Sequence, residues 1–205
     1  MTAIDARIPT APATDERTTS RAMLRVHADR GVPDEAAAIL AEGLVAHVAF
    51  SADGQPFVMP MSYHFDPMRP TRLYLHGAHH SRLMRHLAAG APVCIEVTLV
   101  DGLVYSRTAL YHSVNYRSVV VFGRASAPPA VPDRRALLHD MIGRYHPGRT
   151  AGRDYEPVPD AHVRATALVE IVIEEWSAKA RRGGPTGPLD WDAAAPGSAG
   201  VIGTK

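Results

Sequence analysis

The sequence predicts a mainly β protein, in which five to seven antiparallel strands close into a barrel with helices inserted between them. Short runs of apolar and β-branched residues, such as those over 44–50, 92–99 and 119–122, indicate the strands. Short polar turns join them, and regular helical crossovers are missing from the pattern. These observations favour a closed antiparallel barrel over a parallel, doubly wound sheet.

The N-terminal part is predicted to hold an arm and then a helix. Residues 1–22 are rich in Thr, Ala and Pro, which predicts an extended or disordered arm. Pro33 suits the first turn of the helix, and Asp34 and Glu35 favour the positive end of its dipole. Gly43 is predicted to end this helix in a left-handed conformation.

A β-hairpin is predicted next. A strand over 44–50 leads to Asp53-Gly54, which is a strong hairpin signal, and then to a second strand over 57–65. Pro60 lies inside this second strand. Because proline lacks the N–H that a ladder needs, we expect Pro60 at a sheet edge or a bulge.

Strands and helices alternate along the rest of the chain. The helix over 80–89 carries its apolar residues on one face. Asp101-Gly102 is predicted to form another hairpin turn. The remaining predictions are strands over 73–76, 92–99, 115–125 and 168–176, a helix after Pro132, a polar loop over 149–160 and a surface tail after Arg181.

Composition narrows the classes of function. The 22 Lys and Arg residues nearly balance the 21 Asp and Glu residues, so neither nucleic acid nor an acidic membrane is expected as a partner. The lone Cys94 cannot form an internal disulfide and is interpreted as a small buried hydrophobe, which favours a reducing compartment. No apolar run could span a bilayer, and residues 1–20 lack the apolar centre of a secretory signal. The cytoplasm is therefore the expected location.

The strongest candidate site lies over 75–82. A predicted strand ends there, a turn of small residues follows, and a helix begins with Ser81 and Arg82. Backbone N–H groups, a hydroxyl and a guanidinium together suit a phosphate group. The alternative is that Ser81 only caps the helix and Arg82 is solvated.

Three further segments place polar groups beside predicted strands. In 59–63, the proline would leave backbone groups able to bond the polar edge of a flat ring, unless this is an ordinary edge strand. In 115–123, Arg117 and Ser118 would lie at the barrel rim or be solvated. In 175–182, Trp, Lys and Arg could supply a stacking wall and anion contacts, or form a solvated strand exit.

Two other chemistries find less support. The histidines at 76, 79 and 80 suggest a metal site, but the further ligands that it needs have no diagnostic spacing in the sequence. A nucleophilic triad is not supported, because the sequence has no G-x-S-x-G and Cys94 is predicted to be buried.

Together and in this order, the four segments resemble the FMN-binding split barrels related to pyridoxamine 5′-phosphate oxidase, and more closely the branch with nitroimidazole-resistance flavoproteins. The most specific pieces are 53–61, 73–78 and 115–119. The resemblance implies a six-stranded antiparallel split barrel over 23–182, with a C-terminal extension over 183–205. FMN would lie between two chains, so a homodimer is also implied.

The resemblance also implies which residues would bind the flavin ring. Met61, Ser62 and Tyr63 would lie along the isoalloxazine, with strand backbone reaching its polar edge. His76 and Gly77 would lie beside the ring and the ribityl chain. His76 is in addition the candidate catalytic residue, because an imidazole can donate, accept or transfer a proton near neutral pH.

Other residues would hold the phosphate and complete the site. Ser81 and Arg82 would bind the FMN phosphate, and Ser118 would lie near the flavin. The residues expected to approach from the second subunit are Trp176, Lys179 and Arg181. Where the oxidases usually carry a Lys after the Ser-Arg pair, this chain has Leu83, which makes the anion site less charged. Arg85 or an arginine of the second subunit could compensate for the missing charge.

The implied function is an FMN-dependent oxidoreductase that uses NADH or NADPH and a small acceptor, with nitroaromatics as one candidate class. The missing Lys and the absence of recognisable substrate-phosphate residues argue against a true pyridoxamine-phosphate oxidase. A flavin carrier or sensor without turnover is one alternative. A split barrel that uses haem or a deazaflavin is another, and the 11 histidines keep haem open.

Overall fold

The structure is a computed structural model that describes residues 21–126 and 131–204. The predicted arm over 1–22 therefore lies almost wholly outside the described residues. The strands are β1 (Ala46–Ala52), β2 (Gln55–Met61), β3 (Tyr63–Phe65), β4 (Arg72–Ala78), β5 (Pro92–Tyr105), β6 (Ser113–Ala125), β7 (Thr166–Arg181) and β8 (Gly200–Gly203). The α-helices are α1 (Ala36–Glu42), α2 (Arg82–Ala88), α3 (Val131–Tyr145) and α4 (Asp160–Ala165).

One antiparallel sheet closes on itself. Its strand order is β2-β1-β5-β6-β7-β4-β3, and β8 pairs with β5 beside this path. The two ends of the order, β2 and β3, are separated in the chain only by Ser62, so one bent strand joins both edges of the sheet. Counted as one, β2 and β3 complete a six-stranded barrel to which β8 is added. The predicted split barrel with flanking helices is confirmed.

Side chains that alternate along the strands fill the barrel. On β1, Ala46, Val48 and Phe50 are buried while His47 between them is exposed, as period-two patterning predicts. Helix α1 packs Ile39 and Leu40 into the same core, and both are fully buried. Full burial of such side chains contributes about 1.5–3 kcal/mol each, so this shared core holds helix and barrel together.

The first hairpin forms as predicted. Asp53 and Gly54 both have positive φ, at 52° and 76°, which suits a two-residue turn between β1 and β2. Pro60 lies on β2, whose only paired neighbour among the described strands is β1, so its missing N–H costs no ladder bond on the other side. The predicted strand over 57–65 bends at Ser62, where its partner changes from β1 to β4.

The prediction that Gly43 ends α1 in a left-handed conformation is wrong. It follows α1 with φ −65° and ψ 144°, an extended conformation and not the left-handed one expected. A Cβ at this position would lie 2.3 Å from Cγ1 of Val97 and 3.0 Å from the Tyr63 hydroxyl oxygen. Glycine is needed here because the chain passes close against the barrel core, which no local turn rule reports.

The prediction of a hairpin turn at Asp101-Gly102 is also wrong. No turn forms there, because β5 continues to Tyr105 with a bulge between Val100 and Gly102. Gly102 pairs with Gly203 of β8, so the C-terminal extension supplies a strand that carries the sheet past this point. A strand partner about a hundred residues away in sequence overrides the local hairpin signal.

Two smaller features complete the fold. Helix α4 begins at Asp160, the last residue of the segment predicted as a polar loop, and leads directly into β7. In the parts of the chain that the structure describes, no helix is both long and apolar enough to cross a membrane.

Candidate functional site

A cavity of about 630 Å³ lies between β2, the end of β4 and α2. β3 pairs with β4 next to the bend at Ser62, which brings that bend beside the end of β4, where α2 begins soon afterwards. The sequence-predicted site residues that line this cavity are Met61, Ser62, His76, Gly77, Ser81 and Arg82. The barrel therefore brings together residues that the sequence places in two separate segments, 59–63 and 75–82.

One end of the cavity carries positive charge and hydrogen-bond donors. Ser81 caps α2, since its Oγ accepts a hydrogen bond from the Met84 N–H at 3.2 Å, which leaves the hydroxyl hydrogen to donate. The Arg82 guanidinium lies over the Phe57 ring, 4.3 Å from its centroid. Arg85, one helical turn later, lines the same cavity, and no carboxylate does. This end suits an anion such as a phosphate.

The structure explains why this chain has Leu83 where the oxidases usually carry a Lys. Leu83 is 3 % exposed and packs into the core with the other apolar residues of α2. A Lys at this position would have to bury its ammonium group, which costs several kcal/mol. Arg85 faces the cavity instead, so the second cation comes from another position on the same helix.

The cavity also has apolar walls. The rings of Phe50 and Phe57 stack with centroids 5.3 Å apart. Gly77 lies so close to α2 that a Cβ there would be 3.1 Å from Cε of Met84. The absence of a side chain at Gly77 lets Met84 pack closely against the strand, and such apolar walls suit a flat ring.

His76 lines the cavity, and one of its ring nitrogens lacks a hydrogen-bond partner in the part of the chain that the structure describes. Its Nδ1 is buried and has no hydrogen-bond partner among the described residues. Burial lowers the pKa of His76, so its imidazole is neutral near pH 7. A buried polar atom without a partner costs about 1–3 kcal/mol, which a ligand atom in the cavity could offset.

Tyr63 does not line this cavity. Its ring is fully buried, and its hydroxyl donates to the Leu40 carbonyl oxygen at 2.6 Å. Burial raises the pKa of Tyr63 to about 12. Within this chain the side chain of Tyr63 links α1 to the barrel and is not offered to a ligand.

Ser118 and the three residues expected from the second subunit also lie apart from the cavity within one chain. Ser118 and Lys179 are paired neighbours on β6 and β7, and Trp176 packs against the core. Arg181 binds the Asn115 side chain and the Gly183 carbonyl oxygen, which anchors the start of the C-terminal extension. None of the four lines the cavity between β2, β4 and α2.

His76 also lines a second cavity, the α3 cavity. It measures about 410 Å³, and both Ser62 and His76 line it as well. Its other walls are mainly apolar residues of α3, together with Tyr145 and His146. The helix predicted after Pro132 supplies part of this lining, but only the fold shows that His76 lines both cavities.

Sequence reasoning missed part of the first lining. Phe57 and Met59 alternate with Met61 along β2, so period two would have placed all three on one face. Arg85 was not missed: it was one of the two cations named to compensate for Leu83, and it follows Arg82 by three residues, the spacing that puts two side chains on one helix face. Among the described residues, no cluster of three or more His, Cys, Asp or Glu could hold a metal ion.

Comparisons with known proteins agree with this geometry. The pyridoxamine 5′-phosphate oxidase family model matches residues 33–180. A comparison with curated proteins gives no match. The FAD and haem binding protein from Mycobacterium smegmatis is 31 % identical with a TM-score of 0.71, over 83 % of this chain and 80 % of that one.

Two further solved structures are similar. The flavocytochrome Anf3 from Azotobacter vinelandii is 30 % identical with a TM-score of 0.77, over 96 % of this chain and 87 % of that one. A Bacteroides thetaiotaomicron protein assigned to 5-nitroimidazole antibiotic resistance shares the fold at 20 % identity and a TM-score of 0.59, over 72 % of this chain and 82 % of that one. From its fold, its cavity and these matches, the chain belongs to the pyridoxamine 5′-phosphate oxidase family of flavin-binding split barrels.

Proposed function

We propose that the protein is a flavin-dependent oxidoreductase that binds the FMN unit of its flavin in the cavity between β2, β4 and α2. The observation that carries the proposal is the lining of that cavity. Six predicted residues from two segments meet there, and the lining combines hydroxyl and guanidinium groups with apolar walls. A flavin mononucleotide combines the matching groups, a phosphate and a flat ring.

The chain's own residues would divide the binding between them. Ser81 and Arg82 would hold the phosphate, with Arg85 supplying the second cation that Leu83 does not provide. The ring would lie against Met61 and Ser62, at the bend where strand backbone leaves its ladder.

Once bound, the flavin supplies the hydride and electron transfer. His76 would hydrogen-bond the flavin or a substrate and hold or pass on a proton at a ring nitrogen, because its imidazole is neutral and its Nδ1 lacks a partner. The proposed donor is NADH or NADPH and the proposed acceptor is a small molecule such as a nitroaromatic. A carrier or sensor would bind the same flavin without this turnover.

The proposal includes a homodimer. Ser118, Trp176, Lys179 and Arg181 do not reach the cavity within one chain, so only a second copy could bring them to the flavin. Exposed apolar side chains on β2 beside the cavity, Val58 and Met59, would be covered in such a dimer. Light scattering after gel filtration tests this: a mass of one chain in the presence of excess flavin would contradict it.

The visible spectrum of the protein as isolated tests the flavin. We expect a yellow protein that releases flavin on heating, and stripped protein that binds added FMN. The Arg82→Ala variant should bind FMN more weakly, while Arg164→Ala, an exposed helical arginine outside the cavity, should not. A colourless protein that fails to bind FMN would sink the proposal.

Turnover is tested separately. Oxidation of NADH or NADPH with a panel of acceptors distinguishes an enzyme from a flavin carrier. His76→Ala should change both the flavin spectrum and the turnover number. If both stay the same, His76 has no role at the ring.

A haem-binding flavoprotein is the second candidate function. The observation that favours it is the α3 cavity, which is mainly apolar and bordered by the imidazoles of His76 and His146. Haem needs such surroundings and an axial ligand, for which histidine is common. The relatives at 31 % and 30 % identity are named as an FAD and haem binding protein and as a flavocytochrome.

Haem binding has its own test. Added haem should give a Soret band whose position shifts in His76→Ala or His146→Ala but not in His162→Ala, a surface histidine outside the cavity. If no Soret band develops with intact protein, haem is excluded and the flavin proposal is unaffected.

A further inference from the structure

A further cavity, the loop cavity, lies between α3, residues 151–158 and the buried side of α4. It measures about 430 Å³. Leu138, Ile142 and Val158 line both this cavity and the α3 cavity, so the two spaces adjoin each other. Because Leu138 and Ile142 are four residues apart, they share one face of α3, and the two spaces follow that face.

The α3 cavity stands between the loop cavity and the cavity proposed for the flavin. It shares Ser62 and His76 with the flavin cavity. The flavin cavity and the loop cavity have no lining residue in common among the residues that the structure describes. The three cavities therefore form a series, in which Ser62 and His76 mark the end next to the flavin and the loop cavity is the far end.

Hydrogen bonds within the fold hold the walls of the loop cavity in place. Arg135 of α3 donates to the Val158 carbonyl oxygen at 2.7 Å and forms an ion pair with Asp160, which ties the end of the loop to the helix. Earlier in the loop, the Asp154 carboxylate accepts a hydrogen bond from the Thr150 N–H at 2.8 Å. The cavity is therefore part of the folded chain, and its arginine is already engaged by a carboxylate and a carbonyl group.

The chemistry of the loop cavity is mainly apolar. Leu138 and Ile142 remain half-buried although they are large and apolar, so the fold leaves part of their surface to whatever enters. The other apolar or small residues of its lining are Ala136, Ala151, Pro157 and Val163. His139 and Asp140 of the lining are exposed, so the cavity opens to solvent beside them. A hydrocarbon chain suits such a lining better than an anion does.

Resting on the proposed oxidoreductase function, we infer that the acceptor is an elongated molecule with a reducible head and an apolar chain. The head, such as a nitroaromatic ring, lies in the α3 cavity beside Ser62 and His76. The chain extends past Leu138 and Ile142 into the loop cavity. Reduction of the nitro group takes two electrons and two protons: one N–O bond breaks, the oxygen leaves as water, a nitroso group remains, and NADH or NADPH is oxidised.

The methyl, butyl and octyl esters of para-nitrobenzoic acid test this inference, because they share one head and differ only in chain length. Calorimetry with the FMN-loaded full-length protein gives their Kd, and oxidation of NADH or NADPH gives their KM. A fully buried methylene contributes about fourfold to affinity, and ordering the chain takes part of that gain away. We therefore expect both constants to fall at least about thirtyfold from the methyl to the octyl ester.

Two variants fill the loop cavity from opposite walls. Ala151→Phe acts from the loop and Ala136→Phe from α3, and neither position belongs to the described lining of the α3 cavity or of the flavin cavity. Each should reduce the advantage of the octyl over the methyl ester by about tenfold or more. The matched control is Ala161→Phe, an exposed position on α4 outside the described linings of all three cavities, which should keep that advantage. Circular dichroism verifies folding.

Several outcomes would overturn the inference and leave the flavin proposal standing. One is an octyl ester that binds no more tightly than the methyl ester, and another is an equal loss of the octyl advantage in Ala161→Phe. Chain-dependent binding without turnover would overturn the role of these esters as acceptors. A Soret band in the protein as isolated would also count against the inference, because haem in the α3 cavity would displace the head. Failure to bind FMN would overturn both proposals.

Discussion

Two pairs of arginines in this protein are used in opposite ways. Arg117 contacts the carboxylates of Glu42 and Asp101, with Nη2–Oε1 and Nη2–Oδ1 distances of 3.1 and 2.7 Å, and these partners raise its pKa. Arg144 on α3 donates to main-chain carbonyl oxygens of α1 and β3. Arg82 and Arg85, on the cavity side, have no carboxylate partner among the described residues; Arg82 rests on an aromatic ring.

The difference distinguishes structure from function. An arginine whose donors are taken by carboxylates or by helix-terminal carbonyls ties elements together, because its hydrogen bonds are formed once the chain folds. An arginine left without such partners beside a cavity keeps its donors for a ligand. The same contrast applies to Tyr63, whose hydroxyl is bonded, and His76, whose Nδ1 is not. Four variants test this comparison.

Arg144→Ala should have the largest effect on stability. The side chain donates to Leu40 at 2.8 Å, to Tyr63 at 3.0 Å and to the Gly43 carbonyl oxygen, and it lies over the Tyr63 ring. We expect the free energy of unfolding to fall by about 3 kcal/mol, since several charged hydrogen bonds are lost at once. Urea denaturation at pH 7 measures it. A loss below about 0.5 kcal/mol, the range for surface substitutions, would contradict the assignment.

Arg82→Ala should weaken flavin binding strongly and change the stability of the fold little. We expect the dissociation constant for flavin to rise about 10- to 100-fold, because one charge-assisted contact to the phosphate contributes about 1.5–3 kcal/mol. The free energy of unfolding without flavin should change by less than about 0.5 kcal/mol. A large loss of stability in the flavin-free variant would place Arg82 with the structural arginines.

Tyr63→Phe should cost about 1 kcal/mol at pH 7, the contribution of one buried hydrogen bond. The pKa of Tyr63 is raised from 10.0 to about 12, so between these values the native state holds a proton that the unfolded state has lost. The stabilisation from this tyrosine is therefore complete below pH 10 and falls as the pH rises towards 12. Unfolding curves at pH 9 and 11 should show a smaller decrease for Tyr63→Phe than for the natural sequence.

The smallest expected effect is on the stability of the protein at acidic pH. Burial lowers the pKa of both His64 and His76 below 6.5, and each has a buried Nδ1 without a described partner. As the pH falls through 6.5 the unfolded chain takes up protons before the native one does, so the native state loses stability. The double variant His64→Gln, His76→Gln should weaken this pH dependence. An unchanged slope between pH 7 and 5 would show that other groups cause it.

Local patterns predicted much of the fold and the core of the site. The period-two strands, the Asp53-Gly54 turn and the helix that begins after Ser81 depend on neighbours within a few residues, and each forms as expected. The same short-range signals brought Ser81, Arg82 and His76 forward as candidates. The tertiary structure adds that they line one cavity, and it shows how Arg85 takes the place of the buried Leu83 beside them.

The sequence by itself determined the alternating apolar residues, the turn chemistry and the helix cap, because these follow from backbone geometry over a few residues. Only the tertiary structure decided the strand partner that keeps Asp101-Gly102 extended, the close approach that requires Gly43, and the fact that His76 lines two cavities. Each of these depends on groups that are distant in the chain and meet only when the barrel closes. Close packing and strand pairing between such groups are long-range contacts, and local sequence patterns do not record them.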